Sequence, residues 1–195
     1  MKKLVMLVLC LGLIVSFIPA QQQETEIFAN QVFDNLKDEY KLAGYFLTHL
    51  QKKYYKKLSD NDKWRYLQTF WKANDLDPTT EANEFLDQIR IRIKYCNQHF
   101  THFNDGWTTD RGRIYIRNGE PYEVISQLTG VNAKYPQKDY EIWKYRISSY
   151  RTYIFFDQQQ HGDHRLIYSE NDPDEGSWSD WKSYLGTDFD VGLLY

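Results

Sequence analysis

GWTTDRGRIYIR, residues 106–117, is the stretch that decides the fold, because the spacing of hydrophobic residues changes across it. Before it, apolar residues recur every three or four positions, which is typical of helices; after it they alternate with polar residues, which is typical of half-buried strands. Within residues 113–117, Ile114 and Ile116 face one way and the arginines face the other, which predicts a first strand. The sequence therefore indicates a helical first half joined to a β-rich second half.

The second half has the pattern of an antiparallel sheet. Three further segments are predicted strands: 140–146, 150–157 and 165–169. Short connections between successive strands favour a meander over crossovers through helices. Pro121 suits the first turn of a helix, so residues 120–128 are predicted to form a short helix after the first strand. We expect an α+β fold in which N-terminal helices precede a four-stranded antiparallel meander.

The first half has the pattern of amphipathic helices. Residues 24–55 predict one long helix or two helices broken near Gly44. Ser59 or Asp60 can cap the next helix. Asp77-Pro78 is predicted to open the last helix before the junction, whose apolar face ends near Cys96 and Phe100.

Residues 1–20 have the three-part form of a secretory signal peptide: two lysines, an apolar run, and Pro19-Ala20. The apolar run of about 15 residues is shorter than a membrane-spanning helix requires, although an uncleaved anchor is the alternative. Cleavage would change the net charge from −3 to −5 and leave Cys96 as the single cysteine, so no intramolecular disulfide could form. The sequence predicts an exported protein of the periplasm, the cell surface or the extracellular space.

The composition excludes two classes of protein. The chain has 195 residues, of which 17% are aromatic, and a mean hydropathy of −0.70. A disordered chain would lack these aromatic residues, and a multi-pass membrane protein would be less polar. We divide the chain into the signal peptide, a helical extension, an α+β domain and an acidic, aromatic tail, with bounds 1–20, 21–63, 64–170 and 171–195.

The run Gly106-Trp107-Thr108-Thr109-Asp110, followed by Arg111 and Gly112, resembles the GWxTD domain, a family named after this motif. The family occurs in exported bacterial proteins of mostly undefined biochemical function. The resemblance covers roughly residues 64–170. It implies export and an α+β module, but no established catalytic mechanism.

The motif itself supports two interpretations. In the structural one it is a rigid junction, in which Arg111 or Arg113 pairs with Asn83-Glu84 or Glu120. In the functional one it lines a groove for a carboxylate, a sugar or a peptide, because arginine forks suit carboxylates and tryptophan suits an apolar or sugar face. The candidate binding residues are Trp107, Asp110, Arg111, Arg113 and Glu120.

Other clusters of polar residues carry weaker signals. Cys96, His99 and His102, with His161 and His164 downstream, fit no zinc template, so we expect no metal site. Residues 172–176 are acidic but lack the ligand spacing of an EF-hand, which predicts a solvated loop. The lysines of residues 52–57 are predicted to form a solvated helix face and not a nucleic-acid site, because the chain is net acidic.

These observations favour a non-enzymatic interaction or structural module of the cell envelope, with a protein or another envelope component as its partner. No Ser–His–Asp motif, P-loop or dinucleotide fingerprint appears, so we expect no cofactor. We also expect no nucleic-acid partner and no membrane span after signal cleavage. The alternative is an envelope hydrolase of polysaccharide or peptide that uses Asp110 with a second carboxylate, Glu120 or Glu141.

Overall fold

The structure is a computed structural model, and it describes residues 30–195. The predicted signal peptide and the start of the predicted helical extension lie outside the described residues. Between residues 30 and 195, no helix combines the length and the apolar character that crossing a membrane requires.

The first half of the described chain is helical. Its helices are α1 (Leu36–Ala43), α2 (His49–Tyr55), α3 (Asp60–Ala73), α4 (Glu84–His99) and α5 (Asp110–Asn118), with a 3₁₀ turn at Gly106–Thr108. The break near Gly44 is confirmed, and so is the cap of α3, where the side chain of Ser59 accepts a hydrogen bond from the backbone N–H of Asp62.

The second half forms one antiparallel sheet. Its strands are β1 (Glu123–Leu128), β2 (Asp139–Arg146), β3 (Tyr150–Phe156) and β4 (Arg165–Glu170), and they lie side by side in chain order. The register pairs Val124 with Trp143 and Ile142 with Ile154. The α+β class and the antiparallel meander are therefore confirmed.

Two neighbouring segments differ from their predictions. Residues 113–117, predicted as the first strand, belong to helix α5, and residues 120–128, predicted as a helix, contain β1. The side chain of Thr109 caps α5 by accepting from the N–H of Gly112, and this cap starts a helix that the short alternation had hidden. Pro121 precedes an edge strand, another position where proline is tolerated.

The start of α4 also differs from its prediction. Asp77-Pro78 does not open the helix; the side chain of Asp77 accepts from the N–H and the hydroxyl of Thr79 and so forms a turn. The helix begins at Glu84, after Asn83, whose side-chain oxygen accepts from the N–H of Leu86. The better cap therefore lies six positions beyond the aspartate.

Both faces of the sheet are covered. The helices pack on one face, which we call the helical face, through the side chains of Trp143, Tyr145, Tyr153 and Phe155. The opposite face, with Ile142, Ile154, Phe156 and Ile167, is covered by α6 (Trp181–Leu185) and the 3₁₀ turn Val191–Leu194. Residues 171–195, predicted as a tail, thus form the third layer of the fold.

Candidate functional site

Two glycines bring the motif against the end of α4. A Cβ atom on Gly106 would overlap the carbonyl group of Cys96, and one on Gly112 would overlap the carbonyl group of Gly106. Larger residues would therefore separate α4, the 3₁₀ turn and α5. The hydroxyl of Thr109 joins the same region by donating to the carbonyl oxygen of Gly106 at 2.7 Å.

Trp107 lies in the core and not in a groove. Its side chain is only 2% exposed, and its ring stacks on Phe33 at a centroid distance of 4.8 Å. Its backbone is also held, because its N–H donates to Asn97 and its carbonyl oxygen accepts from the hydroxyl of Tyr45. The side chain predicted to contact a partner is thus enclosed by the helices.

The buried carboxylate of Glu39 holds the backbone of Phe33, the residue that stacks on Trp107. Glu39 accepts hydrogen bonds from the backbone N–H groups of Val32 and Phe33, at 3.0 and 2.6 Å, and from the indole N–H of Trp71 at 2.5 Å. Burial raises the pKa of Glu39, although these three donors oppose the shift. Sequence reasoning missed Glu39, because an acidic residue on an amphipathic helix reads as solvent-facing.

The carboxylate of Asp110 is fully occupied by protein donors. One oxygen accepts from the guanidinium of Arg113 at 2.8 Å, and the other accepts from the N–H of Leu166 at 3.0 Å and from Arg165 at 3.1 Å. Burial works against ionisation, but the hydrogen bonds from Arg113 and Leu166 outweigh it, so the pKa of Asp110 lies below its ordinary value. Asp110 therefore connects the start of α5 to β4.

Arg113 and Arg117 bind the acidic loop, residues 172–176. Both guanidinium groups contact Glu175, and Arg117 also reaches Asp172 at 3.2 Å and Asp174 at 2.9 Å. Burial opposes ionisation of Asp172, but hydrogen bonds, led by that from Tyr153, lower the pKa of its carboxyl group. The predicted solvation holds for Pro173, Asp174 and Gly176, which are exposed, but Asp172 is buried and the side chain of Glu175 is nearly buried against the arginines.

Arg111 reaches across to the sheet. Its guanidinium donates to Glu141 at 3.1 Å and to the carbonyl oxygen of Gly162 at 2.8 Å, and it lies over the ring of Phe100 at 4.9 Å. The other oxygen of Glu141 accepts from the indole N–H of Trp143 at 2.9 Å. The predicted pairings of Arg111 or Arg113 with Asn83-Glu84 or Glu120 are wrong, since both arginines have other partners.

Glu141 lines two surface cavities, and Arg111 lines the smaller of them. One, of about 200 Å³, has walls formed by the aromatic side chains of Tyr95, Phe100, Tyr115 and Trp143. The other, of about 450 Å³, runs along the ends of β1 and β2 beside His164, and Glu141 lines both. We call these two cavities the Arg111 groove.

The groove includes some predicted site residues and not others. Arg111 and Glu120 line the aromatic cavity, whereas Trp107 is buried and the polar groups of Asp110 and Arg113 are engaged in ion pairs. The aromatic walls were not predicted as a site. Their signal was present in the alternation of β2, which places Trp143 and Glu141 on one face of a strand.

Larger or similar cavities lie elsewhere and have a different character. One of about 660 Å³ lies among the helices beside Phe46, Tyr66 and Phe85, and one of about 440 Å³ lies at the β2–β3 hairpin beside Lys144 and Arg151. The first is lined by Arg117, the last residue of the stretch 106–117, but neither is lined by residues 106–112. The Arg111 groove is the site that joins the motif to the surface.

The histidines form no metal centre in the described part of the chain. His99 is the last residue of α4, and the ring of His102 stacks on that of His161 at 5.8 Å. Cys96 lies in the core, where its thiol contacts the carbonyl oxygen of Gly112. Between residues 30 and 195, no group of three or more His, Cys, Asp or Glu side chains is arranged to hold a metal ion.

Comparison with known proteins identifies one family. A search of curated proteins and a search of solved structures each found no match. The family model described as GWxTD domain matches residues 19–171, which is more than half of the chain and extends well upstream of the resemblance seen in the sequence. The motif, the match and its length agree, and the chain belongs to the GWxTD domain family.

Proposed function

We propose that this protein is an exported, non-enzymatic interaction module of the bacterial cell envelope, and that the Arg111 groove is its contact surface. The observation that carries the proposal is the groove itself. Tyr95 is exposed at the wall of the groove, and the nearly buried rings of Phe100, Tyr115 and Trp143 form its floor. The Arg111–Glu141 pair is hydrogen-bonded there, beside a motif whose other polar groups are satisfied internally. Aromatic residues and arginine are the types that anchor partners at protein interfaces.

The rigidity of the groove supports a binding role. Glu141 is held by Arg111 and Trp143, and Arg111 is held in turn by the carbonyl oxygen of Gly162. A surface whose side chains are already ordered loses less conformational entropy when it binds. The partner that fits this surface is a protein or another envelope component that presents apolar and polar groups together.

The geometry does not favour the hydrolase alternative. A catalytic acid needs a raised pKa and a second carboxylate across a gap wide enough for substrate. Asp110 instead has a lowered pKa and accepts from Arg113, Arg165 and Leu166. Both oxygens of Glu141 are also engaged, by Arg111 and Trp143.

Site-specific photo-crosslinking tests the contact surface. A photoreactive amino acid in place of Tyr95, in the aromatic wall, should give a discrete crosslinked product in the cells that export the protein. The matched control is the same replacement at Ile91, which is exposed one turn earlier on α4. Products that are identical at both positions, or none at Tyr95, would remove the groove from the proposal.

A separate measurement tests export. The mature protein recovered from the cell envelope or the medium should begin at Gln21, because Ala20 is the small residue expected before the cleavage site. Intact-mass analysis of each cell fraction would show this. A full-length protein confined to the cytoplasm would contradict the proposed location without bearing on the groove.

A further inference from the structure

One edge of the sheet is covered by a following segment of the chain, and the other edge is not covered by any described strand. At the β4 edge, the N–H of Trp178 donates to the carbonyl oxygen of Ile167 at 2.9 Å, and the hydroxyl of Ser177 bonds both backbone groups of Ser169. The segment after β4 thus covers that edge. At the other end of the sheet, the ladder of β1 is formed with β2 alone among the described residues.

Apart from Glu123 at its start, which pairs with Lys144, β1 also lacks the features that usually protect an exposed edge strand. Its residues 124–128 are Val-Ile-Ser-Gln-Leu, with no charge and no proline. Val124 is 50% exposed and Leu128 is 60% exposed, although both belong to a strand. Natural edge strands are commonly protected by lysine, proline or a bulge, so a bare edge of this kind is suited to pairing with another strand.

We propose that two copies of this chain join through their β1 strands, in antiparallel orientation, to form one continuous eight-stranded sheet. A two-fold axis perpendicular to the sheet would place the helices of both copies on the same side, provided that residues directly opposite each other share a face. Val124 and Ser126 lie on the helical face, since they pair with Trp143 and Glu141.

The sequence of β1 selects one register. If the axis passes through Ser126, Val124 of each copy lies opposite Leu128 of the other, and Ile125 lies opposite Gln127. This register centres the pairing on the uncharged segment and buries the two exposed apolar side chains against each other. Glu123 would face Thr129, so no like charges meet. A second copy therefore fits this edge without any change in sequence. Because Val124 and Leu128 also line the Arg111 groove, this inference rests on the proposed contact surface and names a second copy as one of its partners.

Charge substitutions with measurement of mass in solution test the dimer. Analytical ultracentrifugation of the unsubstituted protein should show a dimer at high concentration. Val124→Lys combined with Leu128→Lys places like charges opposite each other and should give a monomer, whereas Val124→Lys combined with Leu128→Glu places opposite charges there and should restore the dimer. Both side chains are half exposed or more in the single chain, so both variants should retain the melting curve of the parent at dilutions where the parent is monomeric.

Disulfide formation tests the register. Directly opposed residues in antiparallel strands have Cα atoms about 4.5–5.5 Å apart, within the range that a disulfide spans. Ser126→Cys should therefore crosslink to its own copy under mild oxidation. Val124→Cys and Leu128→Cys should not do so alone, but an equal mixture of the two should give a crosslinked pair. The unsubstituted chain, oxidised in parallel, is the control.

Each contrary result overturns the proposal. A protein that sediments as a monomer at its highest soluble concentration does not form this dimer, and the β1 edge is then not a contact between two copies. A dimer that survives the two lysines uses another surface. A dimer in which Ser126→Cys does not crosslink, while the parent remains dimeric, does not have the register described.

Discussion

At Gly106 the main chain touches the end of α4, and no side chain has room there. A Cβ atom at this position would meet the carbonyl carbon and oxygen of Cys96 and the backbone nitrogen of Thr101, all of which belong to rigid backbone. Close packing against α4 therefore requires glycine at position 106, the first residue of the motif. Trp107, the second, contributes through burial. In this protein the motif is chiefly a junction, because its last two side chains, those of Thr109 and Asp110, are hydrogen-bonded internally.

Gly106→Ala should destabilise the protein by about 3 kcal/mol, because overpacking in rigid surroundings typically costs 1–3 kcal/mol and sometimes more. Urea denaturation would measure the change. Gly176→Ala is the matched control, since a Cβ atom there meets nothing within 4 Å and the backbone is not left-handed. Equal effects of the two substitutions would contradict the close packing of the junction.

Asp110 provides a pH-dependent prediction. Its folded pKa is lowered, so its contribution to stability is present above its unfolded pKa and is lost as the pH falls through the folded pKa. Near neutral pH, Asp110→Asn should be less stable than the parent by about 2 kcal/mol. The gap should close below about pH 4. Denaturation curves at a series of pH values would show this, and a gap that widened in acid would revive the hydrolase alternative.

The partners of Arg111 mark a limit of residue-level prediction. The sequence places Arg111 in a distinctive motif, but Glu141 is 30 positions away on β2, and its pairing depends on how α5 lies over the sheet. Glu84, on the preceding helix, and Glu120, nine positions after Arg111, were the predicted partners. Long-range ion pairs of this kind require the tertiary fold, which no local spacing contains.

At the scale of elements, the helices and strands with several repeats of their pattern were predictable. β2, β3 and β4 match their predicted ranges to within one residue, and α3 begins directly after its predicted cap. α5 and β1 were exchanged because each is short. Alternating apolar and polar residues over only five positions, as at 113–117, do not distinguish a strand from a helix that is buried on several sides.

The contacts between α5 and the acidic loop are the most testable feature at this scale. Arg117, Asp172 and Glu175 are nearly or fully buried, so removing Arg117 takes one cationic partner from each of two buried carboxylates. Glu175 then keeps only Arg113, and Asp172 keeps Arg151 and the hydroxyl of Tyr153. Arg117→Ala should cost about 3 kcal/mol of stability, as measured by chemical denaturation. Arg165→Ala is the control: that side chain is 60% exposed, and it should cost less than about 1 kcal/mol. Equal losses of stability in the two variants would contradict a stabilising role for the contacts between Arg117 and the acidic loop.

At the scale of the whole molecule, the segment after the family match is part of the core. The match ends at residue 171, but Tyr184, Leu185 and Leu194 cover the face of the sheet opposite the helices. The sequence signal for this layer was the helical spacing of Trp181 and its neighbours. The sequence did not predict which surface this segment packs against, because helical spacing of apolar residues suits any apolar surface.

A chain ended after residue 171 should therefore lose cooperative unfolding and bind a hydrophobic dye, because Ile142, Ile154 and Phe156 would face water. Thermal melts with dye fluorescence would measure both. In the full chain, Leu194→Asp should reproduce part of this loss, whereas Val191→Asp, at an exposed position of the same turn, should not. A shortened chain that melts like the parent would show that the third layer is dispensable.

The burial of Cys96 has a consequence for the proposed export of the protein to an oxidising compartment. The thiolate is the species that attacks disulfides, and burial raises the pKa of this thiol to about 12. An enclosed thiol of this kind resists mixed disulfides with oxidoreductases, glutathione or secreted chains once folding is complete. Redox chemistry can therefore reach Cys96 only before the helices close around it, which makes modification of this thiol a direct reporter of incomplete folding.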